Sequence, residues 1–360
     1  MKTIAEFKIE HRQVLDADGT LVAPPPEFAQ DVEQLKSMYR AMVEARAFDA
    51  KAVNLQRTGQ LGTYPSSLGH EAVHVGVGAA MLPEDVLAPV YREFGTQLWR
   101  GVTMTEILLY WGGDERGNDF AGPRADFAWC VPIATQTLHA AGAAMAFKLR
   151  GERRCALAYI GDGGTSEGAF YEAINLAGAR RLPVVFVVVN NGWAISVPVA
   201  EQTAARTLAQ KAVAAGIPGL QIDGNDVIVV RDAVSRALES ARAGGGACVI
   251  EALTYRLSDH TTADDASRYR GGAEVERAWA LEPIARLRKY LLAAGAWSAS
   301  EEAAWERECA ARVERAVREY LGTPRLSTDA MFEHLFARMP AHLAAQRATA
   351  RKYGAPSSED

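Results

Sequence analysis

Apolar residues recur along this chain with two different periods, which separate a helical start, an α/β middle and a helical end. Between residues 28 and 58 they recur at helical spacing, which predicts one long amphipathic helix. From about residue 86 to 255, short apolar runs alternate with helical stretches: ALAYI at 156–160, VVFVVV at 184–189 and ACVIEALTY at 247–255. Unbroken apolar runs of this length are typical of strands buried on both faces of a parallel sheet.

The same pattern indicates how the chain is divided. Residues 1–27 contain a turn and three consecutive prolines, which predicts an N-terminal arm. Residues 28–272 are interpreted as one α/β domain with a central parallel sheet and helices on both faces. Residues 273–345 are helical and charged, which predicts an extension of that domain, and residues 346–360 form a tail. The small-residue segments at 72–80 and 140–146 suit either close helix packing or subunit contact.

Composition and charge exclude several classes of function. The chain of 360 residues is 49% hydrophobic and 23% charged, and its net charge of −5 leaves no basic footprint for nucleic acid. Its apolar runs are too short to span a membrane, and its first residues resemble neither a signal peptide nor a transit peptide. The four cysteines lie far apart, which favours buried thiols in a reducing compartment. We therefore expect a cytoplasmic protein without nucleic-acid or membrane partners.

Polar residues stand at both strand ends of a strand–helix–strand pattern in residues 161–198. The strand ALAYI ends before Asp162, either Thr165 or Ser166 is a candidate helix cap, and VVFVVV leads to Asn191. Such a unit makes the two strands parallel, so Asp162 and Asn191 project from the same edge of the sheet. Ligands of open α/β sheets bind at that edge.

The chemistry of these residues suits a metal-bound diphosphate. A carboxylate and an amide oxygen are ligands that Mg²⁺ accepts, and the glycines after Asp162 let backbone N–H groups approach a phosphate. A dinucleotide-binding fingerprint has a different spacing, and the G-K-[ST] of a P-loop is absent. A plain glycine turn with two capping asparagines remains the structural alternative.

This stretch resembles the thiamine-diphosphate motif, in which G-D-G is followed about thirty residues later by N-N. Further segments resemble the α subunit of the E1 component of 2-oxo acid dehydrogenase complexes: NNGWAISVP, LAQKAVAAGIPGLQIDGNDV, IEALTYRLSDHTTADDASRYR and EPIARLRKYLLAAG. The resemblance extends from about residue 30 to 345. It implies a thiamine-diphosphate-binding fold, with residues 28–272 as the domain that binds the diphosphate and Mg²⁺.

The resemblance also implies which residues hold the cofactor. Asp162 and Asn191 match the side-chain ligands of Mg²⁺, and Trp193 matches the residue that lends its backbone carbonyl. Tyr91 and Arg92 match the pair at the diphosphate, where an arginine fork suits two phosphate oxygens. The other residues matched to the cofactor are Gly163 and Gly164 at the diphosphate, and Val131 and Ile133 beside its rings. Some relatives frame a K⁺ site with the residues that match Cys130, Pro132, Thr135 and Gln136.

His260 matches an active-site histidine on a loop that covers the cofactor. By itself a lone histidine is more often structural, but the resemblance implies that this one assists at the substrate or steers the incoming lipoyl group. Thr261 replaces a serine that is phosphorylated in mitochondrial relatives, and we do not expect such regulation here. The residues matched to ordering of this loop are Arg256, Asp264, Tyr269 and Arg270.

No segment resembles the domain that binds the pyrimidine ring of the cofactor and supplies its glutamate. The resemblance therefore implies a separate E1 β subunit, an α₂β₂ heterotetramer, and transfer of the acyl group to the lipoyl domain of an E2 acyltransferase. The segment LAQKAVAAGIPG favours pyruvate as substrate, whereas HTTADDASRYR and MPAHLAAQ echo enzymes for branched-chain 2-oxo acids. A nicotinamide-dependent oxidoreductase and a non-catalytic scaffold are the alternatives of another class.

Overall fold

A computed structural model describes residues 1–354, which form two compact units; the first comprises residues 1–317 and the second begins at Arg318. The strands are β1 (Glu10–Arg12), β2 (Val86–Ala88), β3 (Ala156–Gly161), β4 (Val184–Asn190), β5 (Trp193–Ala194), β6 (Val197–Pro198), β7 (Gly219–Asp223) and β8 (Cys248–Leu253). The α-helices are α1 (Val32–Arg57), α2 (Glu71–Ala80), α3 (Phe94–Arg100), α4 (Met104–Trp111), α5 (Thr135–Arg150), α6 (Gly168–Arg180), α7 (Val199–Gln202), α8 (Lys211–Ala214), α9 (Val227–Arg242), α10 (Gly272–Trp279), α11 (Pro283–Ala293), α12 (Ala299–Gly322), α13 (Ala330–Glu333) and α14 (Ala341–Tyr353).

The first unit is built on a parallel sheet of six strands in the order β1-β7-β8-β4-β3-β2. The three apolar runs of the sequence form β3, β4 and β8, which confirms the predicted parallel sheet. Strands β3 and β4 are neighbours, with Gly161 opposite Val189, so the residues that follow them emerge at one edge. Strands β1, β2 and β7 have no long apolar run and were not predicted. The arm therefore contributes an edge strand.

The strand β4 shows why the sheet is buried on both faces. Val185 and Val187 point into a core with helices α1, α2, α9 and α11, whereas Phe186 and Val188 point into a second core with α5 and α6. All four side chains are fully buried. Because successive side chains of a strand alternate between faces, only a continuous apolar run fills both cores. This arrangement confirms the predicted layers of helices on both faces of the sheet.

The long helix of residues 28–58 is confirmed, although α1 begins at Val32. Residues 27–30 form a turn of 3₁₀-helix, and the carboxylate of Asp31 then accepts the N–H of Glu33 as a helix cap at 3.1 Å. The predicted cap of α6 is wrong: Glu167 occupies the cap position, and neither Thr165 nor Ser166 caps it. The reason is that residues 163–166 form their own short turn of 3₁₀-helix first.

The segment at 72–80 serves close packing inside the chain. A Cβ atom on Gly76 would lie 2.6 Å from Cγ1 of Val230 in α9, and one on Gly78 would lie 2.9 Å from Cβ of Trp99 in α3. Along 140–146 the residues Ala140, Ala141 and Ala144 are buried in the second core. Gly142 is exposed with open space around it, so this side of α5 keeps subunit contact as an open alternative.

The structure also bears on the expectations for the cysteines, for membrane spans and for the C-terminal tail. All four cysteines are free thiols; Cys155 and Cys309 are buried, but Cys130 and Cys248 are only half-buried, so the expectation of buried thiols holds for two of them. No helix within residues 1–354 is long and apolar enough to cross a membrane. Helix α14 continues into the segment assigned to the tail, and residues 355–360 lie outside the described part. The domain boundary at residue 272 remains a prediction.

Candidate active site

One cavity of about 710 Å³ lies at the carboxyl edge of the sheet. The residues that follow β3 and β4 form one side of it, and the loops before α3 and α5 and the loop after β8 contribute further lining. It is lined by every residue that the sequence assigned to the cofactor, namely Tyr91, Arg92, Val131, Ile133, Asp162, Gly163, Gly164, Asn191, Trp193 and His260. The fold therefore brings together residues that lie up to 169 positions apart along the chain.

Asp162 is a buried carboxylate without a cationic partner. Its side chain accepts a hydrogen bond from Nε2 of Gln202 at 2.9 Å, and it forms no ion pair within residues 1–354. Burial raises the pKa of this carboxyl, while the contacts with Gln202 and the backbone of Asn191 act in the opposite direction. A cation would remove the cost of leaving this charge unpaired, so the residue fits a metal ligand.

The other two expected ligands, Asn191 and Trp193, line the same cavity as Asp162. The side-chain oxygen of Asn191 accepts the N–H of Trp193 at 3.1 Å, and the carbonyl of Trp193 accepts Nη1 of Arg256 at 3.3 Å. A carboxylate, an amide oxygen and a carbonyl are all hard oxygen donors, which is the set that Mg²⁺ prefers. No cluster of three His, Cys, Asp or Glu residues occurs in the described part of the chain.

The glycine turn after Asp162 leaves no room for side chains. A Cβ atom on Gly163 would lie 2.5 Å from Cβ of Ala194, and one on Gly164 would lie 2.7 Å from Cγ1 of Ile160 and 3.0 Å from Cγ2 of Ile133. Glycine therefore lets the backbone lie against the cavity wall, where its N–H groups can face a phosphate.

The buried side chain of Lys211 anchors this turn by hydrogen bonds, a role that was not predicted from the sequence. Lys211 is 6% exposed, and its Nζ donates to the carbonyl and the hydroxyl of Thr165 at 2.7 and 2.8 Å. The hydroxyl of Thr165 in turn donates to the carbonyl of Asp162 at 2.7 Å. Burial lowers the pKa of Lys211, and the nearby Glu251 opposes that effect. Lys211 lies in the segment LAQKAVAAGIPG, which entered the sequence analysis only through its resemblance to the family.

The buried side chain of Glu251 holds the end of β4 by hydrogen bonds, and this role was also not predicted from the sequence. Its side chain accepts Nδ2 of Asn190 at 2.8 Å and the backbone N–H of Ala209 at 3.0 Å. Glu251 belongs to β8 and is 1% exposed. A single acid inside an apolar strand was the available signal, since an acid in such a position is rarely buried without partners.

Arg92 lies buried at the wall of the cavity. Its Nη2 donates to the carbonyl of His260 at 2.9 Å, and its Nη1 donates to the carbonyl of Ser66. The carboxylate of Glu93 accepts the N–H groups of Val90 and Arg92 at 2.9 and 3.2 Å, which fixes the loop that carries Tyr91 and Arg92. Burial raises the pKa of Glu93 to about 7.

His260 is held as a neutral imidazole between two guanidinium groups. Its Nδ1 lies 3.2 Å from Nη2 of Arg92 and 3.3 Å from Nη1 of Arg256. A guanidinium only donates, so Nδ1 must be the acceptor and the ring proton must lie on Nε2. Burial, followed by the charges of Arg92 and Arg256, lowers the pKa of His260 to about 3.

The residues expected to order the histidine loop form one hydrogen-bonded network. Arg256 donates to the hydroxyl of Tyr269 at 2.9 Å, and that hydroxyl donates to Asp264. Asp264 also accepts the backbone N–H of His260 at 2.8 Å. Arg270 donates to the carbonyls of Ser258, at 2.7 Å, and of Arg256. Hydrogen bonds therefore link all four side chains to the loop or to one another.

Backbone strain also marks the rim of this cavity. Ile195, whose carbonyl accepts Nη2 of Arg256 at 2.8 Å, has a φ of 56°, and Ala134, which follows Ile133, has a φ of 70°. Positive φ is unusual for any residue other than glycine and especially so for a β-branched one. Such strain is concentrated at functional sites.

The chain belongs to the dehydrogenase E1 component family, whose model matches residues 39–327. It is 42% identical over 343 residues to the 3-methyl-2-oxobutanoate dehydrogenase subunit alpha of Mycobacterium tuberculosis, covering 94% of this chain and 93% of the relative. It is 40% identical to the pyruvate dehydrogenase E1 component subunit alpha of Acholeplasma laidlawii (94% and 99%) and 38% identical to that of Staphylococcus epidermidis (95% and 92%). The resemblance of this chain to the α subunit of E1 components is confirmed.

Enzymes of this family are oxidoreductases that depend on thiamine diphosphate. The lining of the cavity fits that cofactor, since a glycine turn, an unpaired buried carboxylate and a buried arginine face the same space. The alternatives of a nicotinamide-dependent enzyme and of a scaffold are therefore set aside.

Proposed function

We propose that this chain, together with an E1 β subunit, catalyses the oxidative decarboxylation of pyruvate and the reductive acetylation of the lipoyl group of an E2 acyltransferase. One observation carries the proposal: all ten residues assigned to the cofactor line a single cavity at the carboxyl edge of the sheet. The family gives the class of reaction, and the relatives named for pyruvate give the substrate.

The proposed role of Asp162, Asn191 and the carbonyl of Trp193 is to hold Mg²⁺. Arg92 and Tyr91 would bind the diphosphate, with the N–H groups of the glycine turn on its other side. When bound, thiamine diphosphate supplies an electron sink for the decarboxylation. The family resemblance assigns Ile133 the contact that keeps the cofactor bent.

His260 is the proposed catalytic residue of this chain. Its Nδ1 accepts from two guanidinium groups, so Nε2 carries the proton and is the nitrogen that can donate to the substrate. The diphosphate brings negative charge to Arg92, which offsets the positive field that lowers the pKa of His260. The imidazole is therefore expected to take up a proton more readily in the loaded enzyme.

The rim of the cavity supports a partner subunit. Val131, Ile133, Ile195 and Val197 are apolar side chains that are 41–55% exposed around its mouth. An exposed apolar patch on a soluble protein marks an interaction surface. A β subunit seated there would exclude water from the cavity and complete the cofactor site in an α₂β₂ enzyme.

A branched-chain 2-oxo acid is the second candidate substrate. It is favoured by the 42% identity to the mycobacterial 3-methyl-2-oxobutanoate dehydrogenase subunit, against 38–40% for relatives named for pyruvate. The reaction and all residue roles would be the same for either acid. A K⁺ site is a further part of the proposal; Oε1 of Gln136 is buried and has no hydrogen-bond partner within residues 1–354.

The test is to co-express the chain with its β subunit and to compare kcat/KM for pyruvate and for 3-methyl-2-oxobutanoate. Mg²⁺, thiamine diphosphate and a lipoyl domain complete the assay, and calorimetry of cofactor binding provides a readout that does not depend on substrate. A preference for pyruvate supports the first candidate, and the opposite preference supports the second. Failure of the α₂β₂ protein to bind thiamine diphosphate would contradict the proposed site.

A further inference from the structure

A second cavity, of about 560 Å³, lies at the opposite edge of the sheet. Its lining comes from residues 151–154, 181–183 and 241–244, which precede β3, β4 and β8, and from Lys148 near the end of α5. The residues of the candidate active site follow the same strands. The two cavities therefore lie at opposite ends of the central strands, and the volume is within the usual range of roughly 300–1,000 Å³ for small-molecule sites.

Positive charge dominates this second cavity. Glu152 is its one acidic lining residue, and the cationic ones are Lys148, Arg153, Arg154, Arg181 and Arg242. Glu152 pairs with Arg154 at 3.2 Å, and Arg242 pairs with the buried Asp85. Within residues 1–354 no carboxylate pairs with Lys148, Arg153 or Arg181. The chain as a whole carries a net charge of −5, so this local excess opposes the overall sign.

Arg181 occupies a backbone position that usually belongs to glycine. It ends α6 with a φ of 47°, in the left-handed region, and its Nη2 donates to the carbonyl of Gly244 at 3.2 Å. In the described part of the chain, only Ala134, Arg181 and Ile195 are non-glycine residues with positive φ. The other two border the candidate active site. An arginine kept where glycine would be unstrained indicates that its side chain is needed there.

Two glycines leave open space at the wall of this cavity. Gly151 and Gly244 have φ values of 68° and 87°, and a Cβ atom on either would meet nothing within 4 Å. The N–H groups of Gly151 and Gly244 already donate to the carbonyls of Lys148 and Ala241, so the guanidinium forks, and not the main chain, are the groups that can reach phosphate oxygens here.

We propose that this cavity binds a small molecule with two adjacent phosphate groups, at a site separate from that for thiamine diphosphate. Lys148, Arg153 and Arg181 have no carboxylate partner within residues 1–354, although Nζ of Lys148 donates to the carbonyl of Arg180 at 2.5 Å. Their three charges match the charge of a diphosphate, whereas a single carboxylate would leave most of that charge unbalanced. Two of the three are arginines, which bind phosphate oxygens in pairs. The lining residues of this cavity are separate from those of the candidate active site, so binding there does not depend on which 2-oxo acid is the substrate.

The test measures binding of labelled adenosine 5′-diphosphate to the α₂β₂ protein by equilibrium dialysis. Saturating Mg²⁺ and thiamine diphosphate fill the active site, and adenosine serves as the probe without phosphate. We expect the diphosphate to bind and adenosine not to bind. Arg181→Gly should weaken diphosphate binding by about tenfold or more, because a charge-assisted contact is lost, while its melting temperature stays equal or rises.

Arg180→Gln is the matched control. Arg180 is the exposed neighbour of Arg181 and does not line the cavity, so this substitution removes one positive charge outside the proposed site. It should bind the diphosphate nearly as well as the wild type, and Arg153→Gln should bind it less well. Affinity for thiamine diphosphate should be the same in all three variants. The inference fails if the wild type does not bind the diphosphate, or if Arg181→Gly and Arg180→Gln bind it equally.

Discussion

Nη2 of Arg92 lies 3.2 Å from Nδ1 of His260 and donates at 2.9 Å to the carbonyl of the same residue. The arginine expected at the diphosphate is therefore also the group that fixes the histidine ring and its tautomer. Arg256 approaches the same Nδ1 at 3.3 Å. With Arg92 at the diphosphate, as proposed, cofactor binding would be coupled to the state of the histidine through this contact, which leads to the first expectation.

His260 should remain neutral in the chain without cofactor to a pH far below the ordinary histidine pKa of 6.5. Its pKa is lowered to about 3 by burial, by Arg92 and by Arg256, so the unfolded chain takes up this proton first. Stability from this group is complete above pH 6.5 and is lost as pH falls toward 3. Histidine NMR titration, with His260→Gln to assign the signal, checks this. Titration near 6.5 would contradict it.

Asp162→Asn should remove Mg²⁺-dependent cofactor binding and leave the fold intact. The amide keeps the shape of the side chain but lacks the charge that offsets the metal, and neutralising an unpaired buried carboxylate removes a desolvation cost. We expect at least about a hundredfold loss in kcat/KM, with a melting temperature equal to or above that of the wild type. Calorimetry of thiamine diphosphate binding at several Mg²⁺ concentrations measures the effect.

Asp232→Asn is the control for that substitution, because Asp232 lies on α9 and pairs with Arg236 at the surface at 2.8 Å. It should leave cofactor binding unchanged. Wild-type affinity for Mg²⁺ and cofactor in Asp162→Asn would refute the metal assignment.

The central strands and the position of Asp162 and Asn191 could be predicted because both depend on local signals. The runs that form β3, β4 and β8 are apolar without interruption, and Asp162 and Asn191 follow two of them directly. The strand β1 (EHR) carries no such signal, since its side chains are exposed and it joins the sheet mainly through backbone pairing with Leu220 and its neighbours. A pattern of side chains cannot indicate a strand whose contribution is its backbone.

The residues that support the site were less visible for a related reason. Lys211 and Glu251 are polar residues whose partners lie 46 and 61 positions away along the chain. Nothing near them in the sequence identifies those partners, so only the folded chain shows that they are buried and paired. His260 was identified by resemblance, whereas its contact with Arg92 joins residues that lie 168 positions apart along the chain.

Lys211→Met should weaken cofactor binding without changing the chemical step at saturation. Methionine fills the volume, but it cannot donate to Thr165, so the turn that carries Asp162 loses its anchor. We expect about a tenfold rise in Kd for thiamine diphosphate, with kcat at saturating cofactor close to that of the wild type. Lys211→Arg should recover part of the affinity. Equal losses in both variants, with a lower melting temperature, would indicate a purely structural role.

Asp226 ties the N-terminal arm to the start of α9, and its removal should reduce stability rather than catalysis. One carboxylate oxygen accepts the N–H groups of Val14 and Leu15, both at 2.7 Å. The other caps α9 by accepting the N–H of Ile228 at 3.0 Å. Asp226→Ala leaves these buried donors without an acceptor, so we expect the free energy of unfolding to fall by about 2–4 kcal/mol.

Urea unfolding followed by far-UV circular dichroism measures this loss, and cofactor affinity of the folded variant provides the second readout. Asp226→Asn should recover part of the stability, because the amide oxygen still accepts one of the N–H groups. Asp232→Ala, on the exposed face of the same helix, should change stability by less than about 0.5 kcal/mol. If Asp226→Ala is no less stable than Asp232→Ala, the arm is not held by this carboxylate.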